Sequence, residues 1–287
     1  MIKKFSFVIY KLVILIDNFF KIIFRKSFFI WFKDFVHSDS YKEIDILDKK
    51  ISFFIPNQLT ENRVNTFFTK EPETLEWIDG FDNKENLIFW DIGANIGLYS
   101  IYNALKNKNS KTVSFEPSTS NLRVLSRNIS INNLENDIKI FPMPLTNKEN
   151  IFLTMNESNF VEGGALNSFG ENFDFEGKEF ESKMKYQIIG TSINYLIKNK
   201  ILEIPDHIKI DVDGIEHLIL EGATEYLKEK KIKSLSIEIN ENFKDQYQKV
   251  LNLMEKNEFN ILTKKHNDAL FSKNSKFSKT FNYIFIR

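Results

Sequence analysis

Residues 89–97, FWDIGANIG, constrain this chain more than any other stretch. An apolar run, Leu87-Ile88-Phe89-Trp90, carries one acid, Asp91, to a turn holding Gly93 and Gly97, and Leu98-Tyr99-Ser100-Ile101 then resumes at helical spacing. The pattern predicts a strand, a glycine turn and a helix start. Glycine is needed where a backbone turns sharply and lies close to a ligand, because a Cβ would block both the dihedrals and the approach. Spacing limits the ligand. A dinucleotide fingerprint starting at Gly93 requires glycine at positions 95 and 98, where this chain has Asn95 and Leu98, so hydride transfer is disfavoured. Taken alone, the motif also fits an ordinary βα turn.

The second half of the signal follows one strand later. Residues 112–115, TVSF, form a β-type run closed by Glu116-Pro117, about twenty-odd residues downstream, where a nucleotide-binding βαβ unit places its ribose-binding acid. A carboxylate there can accept from both ribose hydroxyls. Pro117 stops the strand, and Ser118 or Thr119 can cap a helix whose apolar positions are Leu122, Leu125 and Ile129. A lone Glu at a strand end is more often simply solvated, so its meaning depends on the turn before it.

The spacing acid-x-Gly-x-x-x-Gly resembles motif I of the class I S-adenosylmethionine (SAM) methyltransferases, with Asn95 in place of the central glycine. Asn is the non-glycine residue that best tolerates a left-handed backbone. The blocks WDIGANIGLYS, FEPSTSNLRVLSRNISIN, IKIDVDGIEHLILEGATEYL and SLSIEIN, in this order, resemble the FkbM family of SAM-dependent methyltransferases over about residues 60–287. Two departures stand out. The family's Thr-Leu-Asp reads here Ser192-Ile193-Asn194, and its Asp-Val-Glu-Gly reads Asp211-Val212-Asp213-Gly214, which keeps the charge on a shorter arm. The resemblance implies an α/β fold: a Rossmann-like, mostly parallel seven-stranded sheet with helices on both faces, plus an N-terminal helical and hairpin extension. It implies SAM as cofactor, held by Asp91, Gly93, Ala94, Asn95, Gly97, Glu116 and Pro117, and methylation of a hydroxyl on a glycan, lipid-linked sugar or secondary metabolite. A non-catalytic binding module on the same fold is the alternative.

Composition narrows the remaining classes. Lysine plus arginine equals aspartate plus glutamate at 39 each, so the net charge is zero and the basic excess of a nucleic-acid binder is missing. Without cysteine there is no disulfide framework, thiolate nucleophile or zinc-finger site, which agrees with a reducing, cytoplasmic setting.

Residues 1–40 form an N-terminal segment ahead of a methyltransferase unit spanning 41–287, with its core at 86–287. Lys11, Asp17, Lys21 and Arg25 interrupt every window long enough to span a bilayer. As a helix, the segment gathers Phe5, Val8, Ile9, Leu12, Ile16, Phe19, Phe20 and Ile23 on one face and Lys4, Lys11, Asn18 and Arg25 on another. That pattern predicts either an interfacial helix on the inner face of a membrane, through residues 1–32, or a helical layer packed on the domain. Residues 41–70 read as short strands, including a hairpin, and Pro72 opens a helix to about Ile78. Arg63 or Lys70 either meets the SAM carboxylate or lies on a solvated face.

Residues 147–206 break the strand-helix alternation and predict a substrate-side cover, with Gly163, Gly164, Asn167 and Ser168 as its contact residues. After it, the run 207–211, HIKID, alternates so that His207, Lys209, Asp211 and Asp213 share one side. Ligands of open α/β sheets lie beyond the carboxyl ends of the strands, which puts Asp211 and Asp213 beside the methyl donor. Asp213 or His217 can serve as general base for an acceptor hydroxyl, with Lys209 near the developing charge or paired with Asp211. A Mg²⁺ site of Asp211, Asp213, His217 and Glu238 is the less favoured alternative to a metal-free site. A helix over 215–228 and another over 243–256 then complete the layers.

Overall fold

The computed structural model describes residues 1–82, 85–179, 181–266 and 275–287. In chain order its elements are α1 (Ile2–Phe24), α2 (Phe29–Ser38), β1 (Tyr41–Ile46), β2 (Lys49–Phe54), α3 (Gln58–Asn65), α4 (Phe67–Lys70), α5 (Pro72–Asp79), β3 (Ile88–Ile92), α6 (Leu98–Lys106), β4 (Lys111–Phe115), α7 (Thr119–Ile131) and β5 (Ile138–Phe141). Then come β6 (Ile151–Glu157), β7 (Ser168–Phe169), β8 (Met184–Gly190), α8 (Ile193–Lys198), β9 (His207–Ile210), α9 (Glu216–Glu221), β10 (Ser234–Asn240), α10 (Lys244–Lys256), β11 (Asn260–Lys265) and β12 (Thr280–Ile286).

Seven strands build the main sheet in the order β11-β12-β10-β9-β3-β4-β5. All pairings among β10, β9, β3, β4 and β5 are parallel, and β12 runs antiparallel to both its neighbours. From β3 the chain winds outward to β5, then returns to β9 on β3's other side. The order therefore reverses between β3 and β9, and a ligand crevice opens beyond their carboxyl ends. This is the expected mostly parallel, seven-stranded Rossmann-like sheet.

Both faces are covered, so the central strands are apolar on both sides. Adjacent residues of β3 divide between them. Phe89 joins α5, α6, α7 and the β1-β2 hairpin in one core, whereas Trp90 joins α8, α9 and α10 in the other. The hairpin docks on α7 through side-chain amides that continue its hydrogen bonding: Phe54 N donates to Asn128 Oδ1 (2.8 Å) and Ser52 N to Asn132 Oδ1 (3.0 Å).

Three local expectations are corrected. Residues 58–70 are helical rather than extended, because Asn57 and Thr60 form a capping box that starts α3. The helix after Gly214 ends at Glu221 rather than near residue 228: Gly222 lies so close to the Thr146 carbonyl that a Cβ would overlap it, and the chain continues as turns. The 147–206 segment, read only as a cover without strand-helix alternation, carries its own three-stranded antiparallel sheet, β7-β6-β8. The longest partner, β8, contains Lys185 and Gln187, and these polar residues hide its strand pattern.

The turn after β3 explains its glycines. Gly93 has φ +86°, and a Cβ there would penetrate the Asp211 carbonyl at the end of β9. The missing side chain lets the ends of β3 and β9 abut. Gly93→Ala should therefore lower stability by about 2–4 kcal/mol in chemical unfolding. Gly80→Ala, at a negative φ with no atom closer than 3.5 Å to the new Cβ, should change it by less than about 1 kcal/mol.

Candidate active site

At the carboxyl end of β3, Gly93, Ala94 and Asn95 turn across the top of the sheet. Gly93 N and Ala94 N both donate to the Phe115 carbonyl (3.0 Å each), which ties this turn to the end of β4. Asn95 takes the left-handed conformation (φ 52°), as its substitution for glycine requires. Its backbone N–H donates to Glu116 Oε2 (2.8 Å), while Glu116 Oε1 accepts from Ser118 N (2.9 Å). Burial pushes the Glu116 carboxyl up to about 8 despite those donors. Gly97, also left-handed, packs against Leu125 and starts α6.

Asp91 lies beneath the turn, fully buried, accepting from Ser100 Oγ (2.6 Å); burial raises its pKa, and its Oδ1 has no partner. Beside it stands Lys209, 2% exposed, whose Nζ donates to Asp211 Oδ2 (2.7 Å) and lies 4.9 Å from the centre of the Tyr99 ring. Burial alone would favour the neutral amine, but Asp211, Glu71 and Asp91 together hold the ammonium charged. Lys209 is thus the partner of Asp211.

Two connected cavities open above these groups. The larger, about 410 Å³, reaches Gly93, Asn95, Arg63, Lys70, Asp211 and Asp213; the smaller, about 70 Å³, lies over Glu116, Pro117 and Asn121. Asp213 sits on their shared wall in a left-handed conformation (φ 63°), accepting from Leu166 N (2.6 Å). Burial, then the charge of Asp211, raises its carboxyl to about 6.

The 147–206 segment covers the crevice. The Gly164 carbonyl accepts from Asn95 Nδ2 (2.7 Å) and Asn121 Nδ2 (3.1 Å), and the Gly163 carbonyl from Arg63 Nε (2.6 Å). Gly163 and Gly164 line the larger cavity and Asn167 the smaller. Ser168 lines neither: it lies on β7, 2% exposed, one residue out of phase with Asn167 and Phe169. His217 is likewise outside. It sits on α9 beside Phe243, with Lys249, Asp245 and Glu221 as its charged neighbours, because the turn at Gly214 carries α9 away from the crevice.

Sequence reasoning missed Glu71, which lines the larger cavity, and Asn121, one turn into α7. Asn121 lies five residues after Glu116 on the helix that the Glu-Pro break starts, a visible signal. Glu71 shows none, because Lys70-Glu71 before Pro72 reads as surface.

The residues present fit a nucleoside-bearing donor. The close glycine turn leaves room above β3, Glu116 faces the smaller cavity, and Asn95 Oδ1 is buried without a partner. The strand order and this site define a class I SAM-dependent methyltransferase. The Methyltransferase FkbM domain matches residues 91–261, more than half the chain, and the protein belongs to that family. Methyltransferase sdnD of Sordaria araneosa is 27% identical over 180 residues, which cover 55% of this chain and 69% of that protein. Among solved structures, the precorrin-6y C5,15-methyltransferase of Geobacter metallireducens aligns with 13% identity and a TM-score of 0.43, over 76% of this chain and 86% of that one. The Methanococcus jannaschii fibrillarin pre-rRNA processing protein gives 14% and 0.46, over 86% and 82%.

One buried acid near the crevice makes the site's pH response measurable. Glu216 accepts from Val212 N (3.2 Å), Gly214 N and Gln246 Nε2, yet burial raises it to about 8. Because its folded pKa lies above its unfolded value, its stabilising contribution is full below about pH 4.5 and is lost as pH rises through about 8. In Glu216→Gln, the decline in melting temperature between pH 5 and 8.5 should be shallower than in the wild type, whatever the offset between the two proteins.

Proposed function

We propose that this protein transfers a methyl group to a hydroxyl of a glycan, lipid-linked sugar or secondary metabolite, with Asp213 as the general base. The observation that carries this reading is the position of Asp213, on the wall shared by the cofactor-side and larger cavities, with a carboxyl raised to about 6. An acceptor hydroxyl is a poor nucleophile until its proton is removed, and a carboxylate ionised near neutral pH within hydrogen-bond reach can take it. Leu166 N fixes one oxygen of Asp213 and leaves the other for the acceptor.

When bound, SAM supplies an electrophilic methyl group on a sulfonium. Glu116 would hold the ribose hydroxyls, Gly93, Ala94 and Asn95 would bracket the nucleoside, and Arg63 or Lys70 would meet the carboxylate of the methionine end. Lys209 acts through Asp211, fixing that carboxylate at the crevice floor. Gly163, Gly164 and Asn167 form the acceptor side and help exclude water.

The N-terminal 1–40 segment fits attachment to an anionic membrane surface. No described helix is long and apolar enough to cross a bilayer. The apolar stripe of α1 stays exposed (Phe5 67%, Leu12 53%, Phe19 62%), and Trp31 and Phe35 of α2 are each 67% exposed. Asp17, the sole acid of α1, is turned inward onto Ser27 Oγ (2.8 Å), Phe29 N (3.0 Å) and Lys21 (2.7 Å), so the outer surface of α1 is apolar and basic.

Asp213→Asn should lower turnover by about 10²–10⁴-fold with SAM affinity unchanged, and wild-type turnover should rise through about pH 6 to a plateau. Undiminished turnover in the variant would defeat the assignment. Glu116→Gln should weaken SAM by about tenfold or more in calorimetry, since the amide replaces one of two acceptor oxygens with a donor. In flotation assays the full-length protein should rise with anionic liposomes and lose that property in a Phe5→Ser, Leu12→Ser, Phe19→Ser triple variant. A wild-type protein left at the bottom of the gradient excludes the membrane reading.

A further inference from the structure

Three carboxylates meet on the floor of the larger cavity from three separate elements: Glu71 at the start of α5, Asp211 at the end of β9 and Glu238 within β10. Each can place one oxygen within 4.8 Å of the others. Lys70 Nζ holds Glu71 Oε1 (2.7 Å) and Lys209 Nζ holds Asp211 Oδ2 (2.7 Å). Among the described residues no donor reaches the Glu238 carboxylate. Glu71 is only 4% exposed, and its Oε2 is buried without a hydrogen-bond partner, although the Tyr99 phenol faces it. A buried carboxylate oxygen without a donor is costly, and beside two further carboxylates it is a group that a cation would satisfy.

Charge points the same way. Glu71, Glu73, Asp211, Asp213 and Glu238 line the cavity against Arg63 and Lys70, with Lys209 joined to Asp211. Five carboxylates face three cations, so acids outnumber the cations that could pair with them, and SAM brings only one net positive charge. The donor set is all oxygen, which excludes soft-metal preferences and suits Mg²⁺ or Mn²⁺ with water completing the shell.

We propose that Glu71, Asp211 and Glu238 bind one oxygen-preferring divalent cation beside the acceptor hydroxyl. The set differs from the one the sequence offered: Glu71 enters, the fold carries His217 away, and Asp213 stands outside it as the base. The ion's role rests on the acceptor reading above, whereas its binding does not: a hydroxyl oxygen on the cation releases its proton more readily, and Asp213 takes that proton.

The test uses Mn²⁺ and the full-length protein, without acceptor. Loss of the free Mn²⁺ paramagnetic resonance signal should report one site per chain. Glu238→Gln and Glu71→Gln should each weaken it at least tenfold, while Glu76→Gln, an exposed change in an ion pair with Lys265, leaves it unchanged. Mn²⁺ should also raise the melting temperature of the wild type and not of Glu238→Gln. Failure of Mn²⁺ to bind the folded wild type, or equal binding by a folded Glu238→Gln, overturns the proposal. If Mn²⁺ does not bind and Glu238→Gln weakens SAM instead, the cluster is a counter-charge for the donor's ammonium and the proposal is again overturned. SAM titration and the Asp213→Asn turnover are measured separately, so the methyltransferase reading stands or falls independently.

Discussion

The close approach of Gly93 to the Asp211 carbonyl is the contact on which the crevice depends. It brings the end of β3 against the end of β9, where the winding of the sheet reverses, and aligns the two loops that carry the chemistry. Any side chain at position 93 would force these strand ends apart, and Asp91, Lys209 and Asp211 would lose their common centre. The buried Lys209–Asp211 pair has meaning only in that frame. Removing Asp211 would leave the buried Lys209 ammonium without its hydrogen-bonded carboxylate.

The cover segment is fastened to the same frame by an apolar cluster, in which Met155 and Phe169 meet Ile215, and by polar contacts over the crevice. Asn95 and Asn121 reach Gly164 and Arg63 reaches Gly163, so residues beside Glu116 also hold the loop that lines the larger cavity. Leu166 N on Asp213 adds a further attachment. Movement of the cover would change the hydrogen bonding of Asp213 directly.

Much of the sheet was legible because its signals are local. The β3 turn, the Glu116-Pro117 break and the alternation of β9 each lie within a few residues and obey period or spacing rules. Asn95 could be read because the left-handed requirement is itself local. What escaped depends on tertiary placement. Residues 58–70 were mistaken for strands because their helix is set by one capping box rather than by an apolar stripe, and β8 was hidden by polar residues on a half-exposed sheet. His217 lies only four residues after Asp213, but the turn at Gly214, whose φ is +126°, sends the two in different directions. Glu71 is far from β9 in sequence, and only the docking of α5 on the sheet brings it to the crevice.

The charge distribution explains why a chain of zero net charge can still recognise a charged donor. The balance holds over the whole surface but not inside the crevice, where carboxylates outnumber cations. Burial makes that local excess effective, since the attraction of a cation is weakly screened there compared with the same charges in water. Burial, and after it neighbouring carboxylates, raises Asp213, Glu116 and Glu238, whereas Glu71, held by Lys70 and Lys209 against its burial, falls to about 2. A crevice of this kind favours a sulfonium over its neutral thioether product. The same imbalance that gathers the cationic donor therefore also helps release what remains after the methyl group has gone.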